Sequence, residues 1–214
     1  IKYFPSIDHE ILKAVIRKKI GCPRTLGLID LIIDSSNPQE EVYRYYPGDD
    51  LFTPYERRCG LPIGNLTSQY FANIYLTPLD HFIVETLKCR RYIRYVDDLL
   101  LFDSDKNRLA SWYSEICLFL ERYRLSLHPV AQTIPVHRGI SFLGYRIFPD
   151  TIRLNRGNLI KAIRRQKRNA LLLKEGRISI KDYKCRLFSW LGHAAHADID
   201  GLILSGPLSK WIES

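Results

Sequence analysis

The amino-acid sequence predicts an α+β fold, in which a small antiparallel sheet is backed by helices and followed by a basic helical segment. Two short apolar runs, residues 92–94 and 99–102, flank Tyr95-Val96-Asp97-Asp98 and predict a β-hairpin. Apolar residues that recur at helical spacing in several other stretches predict the helices. The basic segment, residues 151–214, holds 13 Lys and Arg against 5 Asp and Glu, so it carries most of the net charge of +9.

Two helices are predicted at the front of the chain. Residues 9–20 are amphipathic, and the apolar face consists of Ile11, Leu12, Val15 and Ile16. A second helix is predicted over residues 24–33. The polar stretch of residues 35–50 contains Asn37-Pro38 and Pro47-Gly48, which favour a loop.

A segment rich in Gly and Pro, residues 60–64, precedes a long amphipathic stretch that extends to about Leu87. Its apolar face predicts one long helix and consists of Phe71, Ile74, Tyr75, Phe82, Ile83 and Leu87. Because Gly lets the backbone approach another group closely, this helix is expected to begin from such an approach.

The predicted hairpin presents two adjacent carboxylates, Asp97 and Asp98, at its tight connection. Adjacent carboxylates repel each other, so holding both on one turn costs free energy unless a cation is bound there. Two Mg²⁺ ions meet this need in enzymes that transfer phosphoryl or nucleotidyl groups. An isolated Asp pair is more often a polar turn, so the neighbouring motifs decide between the two interpretations.

Two elements are predicted between the hairpin and the basic segment. Residues 106–124 predict a helix with one apolar face, formed by Leu109, Trp112, Ile116, Leu120 and Tyr123. Residues 140–147 predict a strand, and Gly144 inside it indicates a bend or a close backbone contact.

The basic segment predicts two helices. The first begins near Asn155 and is expected to bury Leu159, Ile160, Ile163, Leu171 and Leu172. Its opposite side is expected to attract phosphates and consists of Lys161, Arg164, Arg165, Lys167 and Arg168. The second spans residues 180–195 and is expected to bury Tyr183, Leu187, Trp190 and Leu191. His193 follows on this helix, and packing or a phosphate contact is favoured over metal binding for it.

The composition excludes several classes of protein. No apolar run approaches the roughly 20 residues that span a bilayer, and no charged-then-apolar leader is seen, so no membrane partner is predicted. The five cysteines are spread singly, which argues against a disulfide framework or a zinc ribbon and favours a reducing compartment, the cytoplasm.

Taken in order, these segments resemble the right-hand palm and helical thumb of a reverse transcriptase. Tyr95-Val96-Asp97-Asp98 resembles motif C, residues 60–69 resemble motif B, and Phe142-Leu143-Gly144-Tyr145 resembles the primer-grip hairpin. Residues 3–9 resemble the second half of motif A. The resemblance assigns residues 1–150 to the palm and residues 151–214 to the basic thumb.

This resemblance implies an RNA-directed DNA polymerase that copies an RNA template from a DNA or RNA primer with dNTPs. Asp97 and Asp98 are the implied catalytic residues and the implied ligands of two Mg²⁺ ions, with Mn²⁺ as an alternative. The implied nucleotide-binding residues are Phe4, Ile63, Gly64, Ser68, Gln69 and Tyr95. The implied primer grip is Phe142, Leu143 and Gly144, and the implied nucleic-acid-binding residues are those of the basic helix.

Two departures from the family pattern affect this interpretation. If Phe4 is the residue that excludes ribonucleotides, the metal-binding Asp of motif A precedes Ile1, so the chain is expected to be a fragment that is itself inactive. Asp8 is a disfavoured substitute. The motif D Lys expected near Ala131 is also missing, and the nearest candidates for a proton donor are His128 and His137.

The form of motif B, with Ile63 and Gln69, resembles the reverse transcriptases of diversity-generating retroelements, which are bacterial or phage-encoded. Those enzymes copy with frequent errors at adenines, usually alongside a small basic accessory protein. Retron, group II intron and phage-defence reverse transcriptases remain alternatives. So do a non-catalytic RNA-binding palm and an RNA-dependent RNA polymerase, although Phe4 disfavours the last.

Overall fold

The computed structural model describes residues 2–36, 42–129 and 131–199. Its contacts divide the chain into two compact units, Ile1–Thr133 and Ile134–Ser214. Both combine helices with short antiparallel strands, which confirms the α+β class. Part of the predicted loop, residues 37–41, and the end of the predicted thumb, residues 200–214, lie outside the described residues. No helix in the described ranges is both long enough and apolar enough to cross a membrane.

The first unit contains six helices among its described residues and one hairpin. The helices are α1 (His9–Arg17), α2 (Pro23–Asp34), α3 (Thr53–Glu56), α4 (Leu66–Tyr75), α5 (Thr77–His81) and α6 (Lys106–Glu121). A 3₁₀ turn, Phe4–Ser6, precedes α1, and one π turn, Phe82–Thr86, continues α5. The hairpin consists of β1 (Tyr92–Tyr95) and β2 (Asp98–Leu101).

Helices α1 and α2 form as the apolar periodicity predicts. Asp8 caps α1 by accepting a hydrogen bond from the Ile11 backbone N–H at 3.0 Å, which satisfies one of the free donors at a helix start. Pro23 opens α2 in the first turn, where its missing N–H costs nothing. A salt bridge of 2.7 Å between Lys13 and Asp34 joins the two helices.

The predicted long helix ending at Leu87 is wrong, because the chain breaks into three helical pieces. Helix α4 ends at Tyr75, and α5 begins at Thr77 with Pro78 in its first turn. Proline has no N–H to donate and its ring clashes with the preceding turn, so a continuous helix is excluded at this point. The apolar face is kept across the break, since Tyr75, Leu79 and Ile83 are all buried.

The core of the first unit is apolar and continuous. Helix α6 inserts Trp112, Ile116 and Leu120, as its spacing predicted. Other buried apolar residues come from α1, α2, α4 and α5 and from the segments that precede α1 and α4, and they include Ile7, Leu12, Ile33, Leu61, Phe71 and Leu79. Burying each of these side chains stabilises the fold by about 1.5–3 kcal/mol.

The second unit contains a three-stranded antiparallel sheet and two helices among its described residues. The strands, in spatial order, are β3 (Ile140–Phe142), β4 (Tyr145–Ile147) and β5 (Ile152–Leu154). The helices are α7 (Arg156–Lys174) and α8 (Ile180–Ala194), and a 3₁₀ turn, Val136–Arg138, precedes the sheet. The unit has its own small core around Ala162, Trp190 and Ala194.

The pattern-based prediction of one strand over residues 140–147 is wrong, whereas a hairpin is present at residues 142–145, as the resemblance implied. Phe142 pairs with Tyr145, and the two residues between them form the turn. Leu143 and Gly144 both have positive φ, 51° and 88°, as a two-residue hairpin turn of this hand requires. The glycine therefore marks a reversal of the chain rather than a bend within one strand.

The buried stripe of α7 also differs from the prediction. Ile160 and Leu171 are exposed, whereas Ala162, Gln166 and Asn169 are buried. The amide of Asn169 donates to the Gln166 side-chain oxygen at 3.3 Å, and Arg186 of α8 donates to Asn169 at 3.3 Å. These bonds satisfy Asn169 and the Gln166 oxygen within the buried stripe, although the Gln166 Nε2 has no partner, and apolar periodicity cannot reveal such contacts.

Helix α8 begins as the sequence predicts and buries Tyr183, Leu187 and Trp190. Ser179 and Asp182 form a capping box, in which each side chain accepts from the other's backbone N–H. Two helix-start donors are satisfied in this way.

Candidate active site

The two predicted catalytic carboxylates lie at the tip of the β1–β2 hairpin. The register pairs Tyr95 with Asp98, so Val96 and Asp97 form a two-residue turn. Val96 has a φ of 55°, a conformation that is strained for a β-branched residue. Tyr95, Asp97 and Asp98 are all exposed. The predicted hairpin and its presentation of both carboxylates to solvent are confirmed.

The carboxylates influence each other electrostatically. Although Asp98 is exposed overall, partial burial of its carboxyl group raises its pKa above the ordinary value, and the negative charge of Asp97 raises it further. A bound cation would reverse this effect by favouring the ionised form.

The donor set fits Mg²⁺ in part. Carboxylate oxygens are the ligands that Mg²⁺ prefers, and one or two of them suffice when water and substrate phosphates supply the rest. No group of three or more His, Cys, Asp or Glu side chains suited to a metal occurs among the described residues. Asp97 and Asp98 therefore fit one Mg²⁺, and a second ion would need a further ligand.

The segment that resembles motif A pairs with the start of the segment that resembles motif B. The Leu61 N–H donates to the Phe4 carbonyl at 3.0 Å, and the Gly60 N–H donates to the Ile7 carbonyl at 2.8 Å. The His9 Nε2 donates to the Gly60 carbonyl at 2.8 Å. Two segments that are distant in sequence are thus held side by side.

Tyr3 connects these segments to α4 and to the hairpin, and no pattern in the sequence indicated this role. Its hydroxyl donates to the Ala72 carbonyl at 2.5 Å, and its ring contacts the half-buried Phe4 ring edge-on at 5.8 Å. Burial raises the pKa of the Tyr3 hydroxyl; the charge of Arg94 opposes this shift and the charge of Asp97 adds to it. Tyr3 therefore lies within electrostatic range of Asp97.

The predicted nucleotide-binding residues of motif B lie at the start of α4. Ile63 and Gln69 are exposed, and Ser68 is buried. Gly64 has a φ of 108°, and a Cβ added there would meet no atom within 4 Å. Glycine is therefore required at this position by backbone conformation, and its open surface leaves room for a ligand to approach.

Asp8 has a structural role that removes it as a metal ligand. It is 1% exposed, forms an ion pair with Arg124, and lies 3.7 Å from the Nε of Arg57. Because it also caps α1, its oxygens are already engaged. The substitution of Asp8 for the motif A ligand, which the sequence disfavoured, is not supported.

Arg94 lies at the centre of a hydrogen-bond network beneath the hairpin tip, which sequence reasoning also missed. Its Nε and Nη2 donate to the Asp80 carboxylate at 2.6 and 2.5 Å. Its Nη1 donates to the Val96 carbonyl at 2.9 Å and to Asn73 Oδ1 at 3.0 Å. The Tyr92 hydroxyl donates to Asp80 at 2.7 Å. These partners come from α4, α5 and β1, so spacing along the chain could not have indicated them.

In the second unit, the predicted primer grip lies at the β3–β4 turn. The Gly144 carbonyl accepts from the Asn155 N–H at 3.1 Å and from Asn158 Nδ2 at 3.3 Å. On β4, the Tyr145 hydroxyl donates to the His193 carbonyl at 2.8 Å, and the two rings lie 4.9 Å apart. His193 therefore packs against Tyr145, which is one of the two roles predicted for it.

The five predicted nucleic-acid-binding residues form one exposed surface on α7, here called the basic face: Lys161, Arg164, Arg165, Lys167 and Arg168. The predicted primer grip precedes α7 in the same compact unit, whereas the sequence assigned it to the palm. His137 also belongs to this unit and His128 to the first.

A groove of about 610 Å³ in the first unit does not include the carboxylates. It lies between α1, α4, α5 and α6, and its floor contains the stacked rings of Phe82 and Phe119, 4.4 Å apart. Lys18 and Lys19 lie at its rim. The predicted chemistry therefore belongs to an open surface at the hairpin tip and not to this groove.

No protein-family model matches the chain, and a comparison with curated proteins finds no match either. The assignment of function therefore depends on the motifs and on the geometry around the hairpin.

Proposed function

We propose that this chain is the palm and thumb of an RNA-directed DNA polymerase. The observation that carries the proposal is the arrangement of the first unit, where the Tyr95-Val96-Asp97-Asp98 turn shares one core with the Phe4 segment and the Gly60 segment. Three motifs that are distant in sequence thus occur in the order and in the common unit that a polymerase palm requires. In this proposal the first unit is the palm, and the basic helices belong to the thumb.

Asp97 and Asp98 are the proposed ligands of Mg²⁺, with Mn²⁺ as an alternative ion. When bound, such ions favour the deprotonated primer 3′-hydroxyl and neutralise the charge of the triphosphate. The chain's own contribution is to hold two carboxylates on a rigid turn that faces solvent. A second ion requires a further ligand beyond Asp97 and Asp98.

Phe4 and the start of α4 are the proposed nucleotide-binding surface. The Phe4 ring would exclude a sugar that carries a 2′-hydroxyl, and Gly64 would let the backbone approach the nascent base pair. Ile63 places an apolar, exposed side chain where related enzymes place Gln. We propose that this change weakens discrimination between bases, because Ile63 has no side-chain group that can form a hydrogen bond.

The second unit is proposed to grip the template–primer duplex. The basic face attracts phosphates, and its contribution to affinity falls as salt rises. The turn at Leu143 and Gly144 is held by Asn155 and Asn158, so it can present a fixed surface to a primer strand. The proposed partners are thus an RNA template with a DNA or RNA primer, and dNTPs.

Motif B favours a diversity-generating retroelement as the source of the enzyme, with a small basic accessory protein as a further partner and the bacterial cytoplasm as its location. The alternatives are a retron, group II intron or phage-defence reverse transcriptase. Errors concentrated at template adenines in the cDNA would favour the retroelement. Restoring Gln at Ile63 should then reduce those errors, and an unchanged error spectrum would contradict the role given to Ile63.

Primer extension tests the proposal. The full-length gene product is incubated with a primed RNA template, dNTPs and Mg²⁺, beside an Asp97→Ala variant. Synthesis that the substitution abolishes supports the polymerase. Salt-sensitive duplex binding without synthesis would instead favour a non-catalytic RNA-binding palm, and efficient ribonucleotide incorporation would favour an RNA polymerase.

A further inference from the structure

Two features of the hairpin tip destabilise the conformation that it adopts. Val96 has a φ of 55°, which a β-branched residue adopts only under strain. Beside it, Asp97 and Asp98 repel each other. A two-residue turn with both features keeps one conformation only if other groups hold it. The structure contains such a group in Arg94.

The guanidinium of Arg94 is oriented by a bidentate ion pair. Its Nε and Nη2 donate to the two oxygens of Asp80, and the side chain is 13% exposed. Two parallel bonds to one carboxylate fix the plane of a guanidinium as well as its position. The Tyr92 hydroxyl in turn donates to Asp80 and limits the movement of the carboxylate.

The remaining nitrogen, Nη1, is directed at the turn itself. It donates to the Val96 carbonyl at 2.9 Å and to Asn73 Oδ1 at 3.0 Å. The Val96 carbonyl belongs to the peptide that leads into Asp97. One planar group therefore joins this peptide to α5 through Asp80 and to α4 through Asn73.

We propose that Arg94 is the positioning residue of the double-Asp turn, which fixes the two carboxylates relative to α4 and α5 so that both can bind a divalent cation. The effect of Arg94 on catalysis rests on the proposed function, whereas its effect on the conformation of the turn rests on the hydrogen-bond network alone. Lys cannot replace Arg here, because a single ammonium on a flexible stem cannot make both the bidentate pair and the contact with the turn.

The test compares Arg94→Lys and Arg94→Gln with a matched control in the full-length protein. The control is Arg17→Lys, which alters an exposed ion pair of 2.6 Å with Asp30 on the same unit. Three measurements are made: amide hydrogen exchange of residues 95–98 without metal, Mn²⁺ affinity by electron paramagnetic resonance, and steady-state kinetics with dNTP, which give kcat and KM.

In both Arg94 variants, the amide hydrogens of residues 95–98 are expected to exchange at least tenfold faster than in the unmodified protein, while the exchange rates of the α6 amides stay unchanged. Mn²⁺ affinity is expected to fall fivefold or more. The kcat value is expected to fall at least tenfold, while KM for dNTP changes less than threefold. Arg17→Lys should leave all three within twofold of the unmodified protein. If an Arg94 variant does not fold, Tyr92→Phe replaces it, because this change removes only the bond that steadies Asp80.

A folded Arg94→Lys protein with unchanged turn exchange and unchanged Mn²⁺ affinity would overturn the inference. Faster exchange and weaker Mn²⁺ binding in a protein without polymerase activity would uphold the positioning role and refute the proposed function. An unmodified protein that neither binds Mn²⁺ at Asp97 and Asp98 nor extends a primer would overturn both.

Discussion

Replacing Asp8 with Asn should strongly destabilise the first unit without any direct effect on the hairpin tip. Asp8 is 1% exposed, pairs with Arg124, and lies 3.7 Å from the Nε of Arg57. That Nε is buried and has no hydrogen-bond partner. The negative charge of Asp8 therefore compensates the buried Arg57 guanidinium, together with Asp49, and the partly exposed Arg124 guanidinium.

The magnitude follows from separating the charge from the helix cap. Asn can still accept from the Ile11 N–H through its Oδ1, so Asp8→Asn keeps the cap and removes the charge together with the oxygen that accepts from Arg124. Removing one member of a buried ion pair costs about 3–5 kcal/mol, and we expect the lower end because Arg57 keeps Asp49 as a partner and Arg124 is partly exposed. Asp8→Ala removes the cap as well, which adds about 1 kcal/mol.

Urea unfolding measured by tryptophan fluorescence checks these values. With Trp190 and Trp211 replaced by Phe, the buried Trp112 of α6 reports on the first unit alone. Asp8→Asn should lower its free energy of unfolding by about 3 kcal/mol, equivalent to a fall in Tm of roughly 10 °C.

The matched control is Asp30→Asn, which removes the partner of Arg17 in an ion pair whose side chains are 45% and 28% exposed. Pairs of this exposure contribute about 0–1 kcal/mol. The reasoning is refuted if Asp8→Asn lies within 1 kcal/mol of the unmodified protein or of this control. The separate value given to the cap is refuted if Asp8→Asn and Asp8→Ala are equally stable.

Three further predictions concern the hairpin tip, the β3–β4 turn and the basic face. Because burial and Asp97 raise the pKa of Asp98, its ionisation opposes folding, and stability falls as pH rises from the unfolded value of about 3.9 through the folded pKa. Asp97→Asn should lower the pKa of Asp98 and reduce this fall; an unchanged NMR titration of the Asp98 carboxyl would contradict it. Gly144→Ala should lower the free energy of unfolding of the second unit by about 1–2 kcal/mol, because φ is 88° and the new Cβ would lie 3.0 Å from Asn158 Nδ2. Urea unfolding measures this, and a variant as stable as the unmodified protein would contradict it. Replacing any one residue of the basic face with Gln should reduce the slope of log affinity against log salt by about 0.9 for each phosphate that the side chain neutralises. The control Lys19→Gln should leave the slope unchanged. If the basic-face variants and the control have the same slope, α7 does not bind the duplex.

Apolar periodicity in the sequence predicted the buried faces of some helices but not of α7. The apolar spacing of α1, α6 and α8 identified their buried faces, because an amphipathic helix in water must cover its apolar stripe. On α7 the same reasoning failed at Ile160 and Leu171, since the buried positions 166 and 169 are amides. Asn169 bonds to the Gln166 oxygen and to Arg186 on another helix, whereas the buried Gln166 Nε2 has no hydrogen-bond partner.

The candidate site was likewise predictable from the sequence only in part. The sequence alone determined that a hairpin presents Asp97 and Asp98, because alternation, turn length and adjacent charge are properties of consecutive residues. Tertiary structure decided what holds that turn and which acid is unavailable. Arg94 finds Asp80 and Asn73 on separate helices, and Asp8 is sequestered by an Arg more than a hundred positions away. Side-chain hydrogen bonds depend on distances of about 3 Å between atoms, and only the folded chain sets these between residues far apart in sequence.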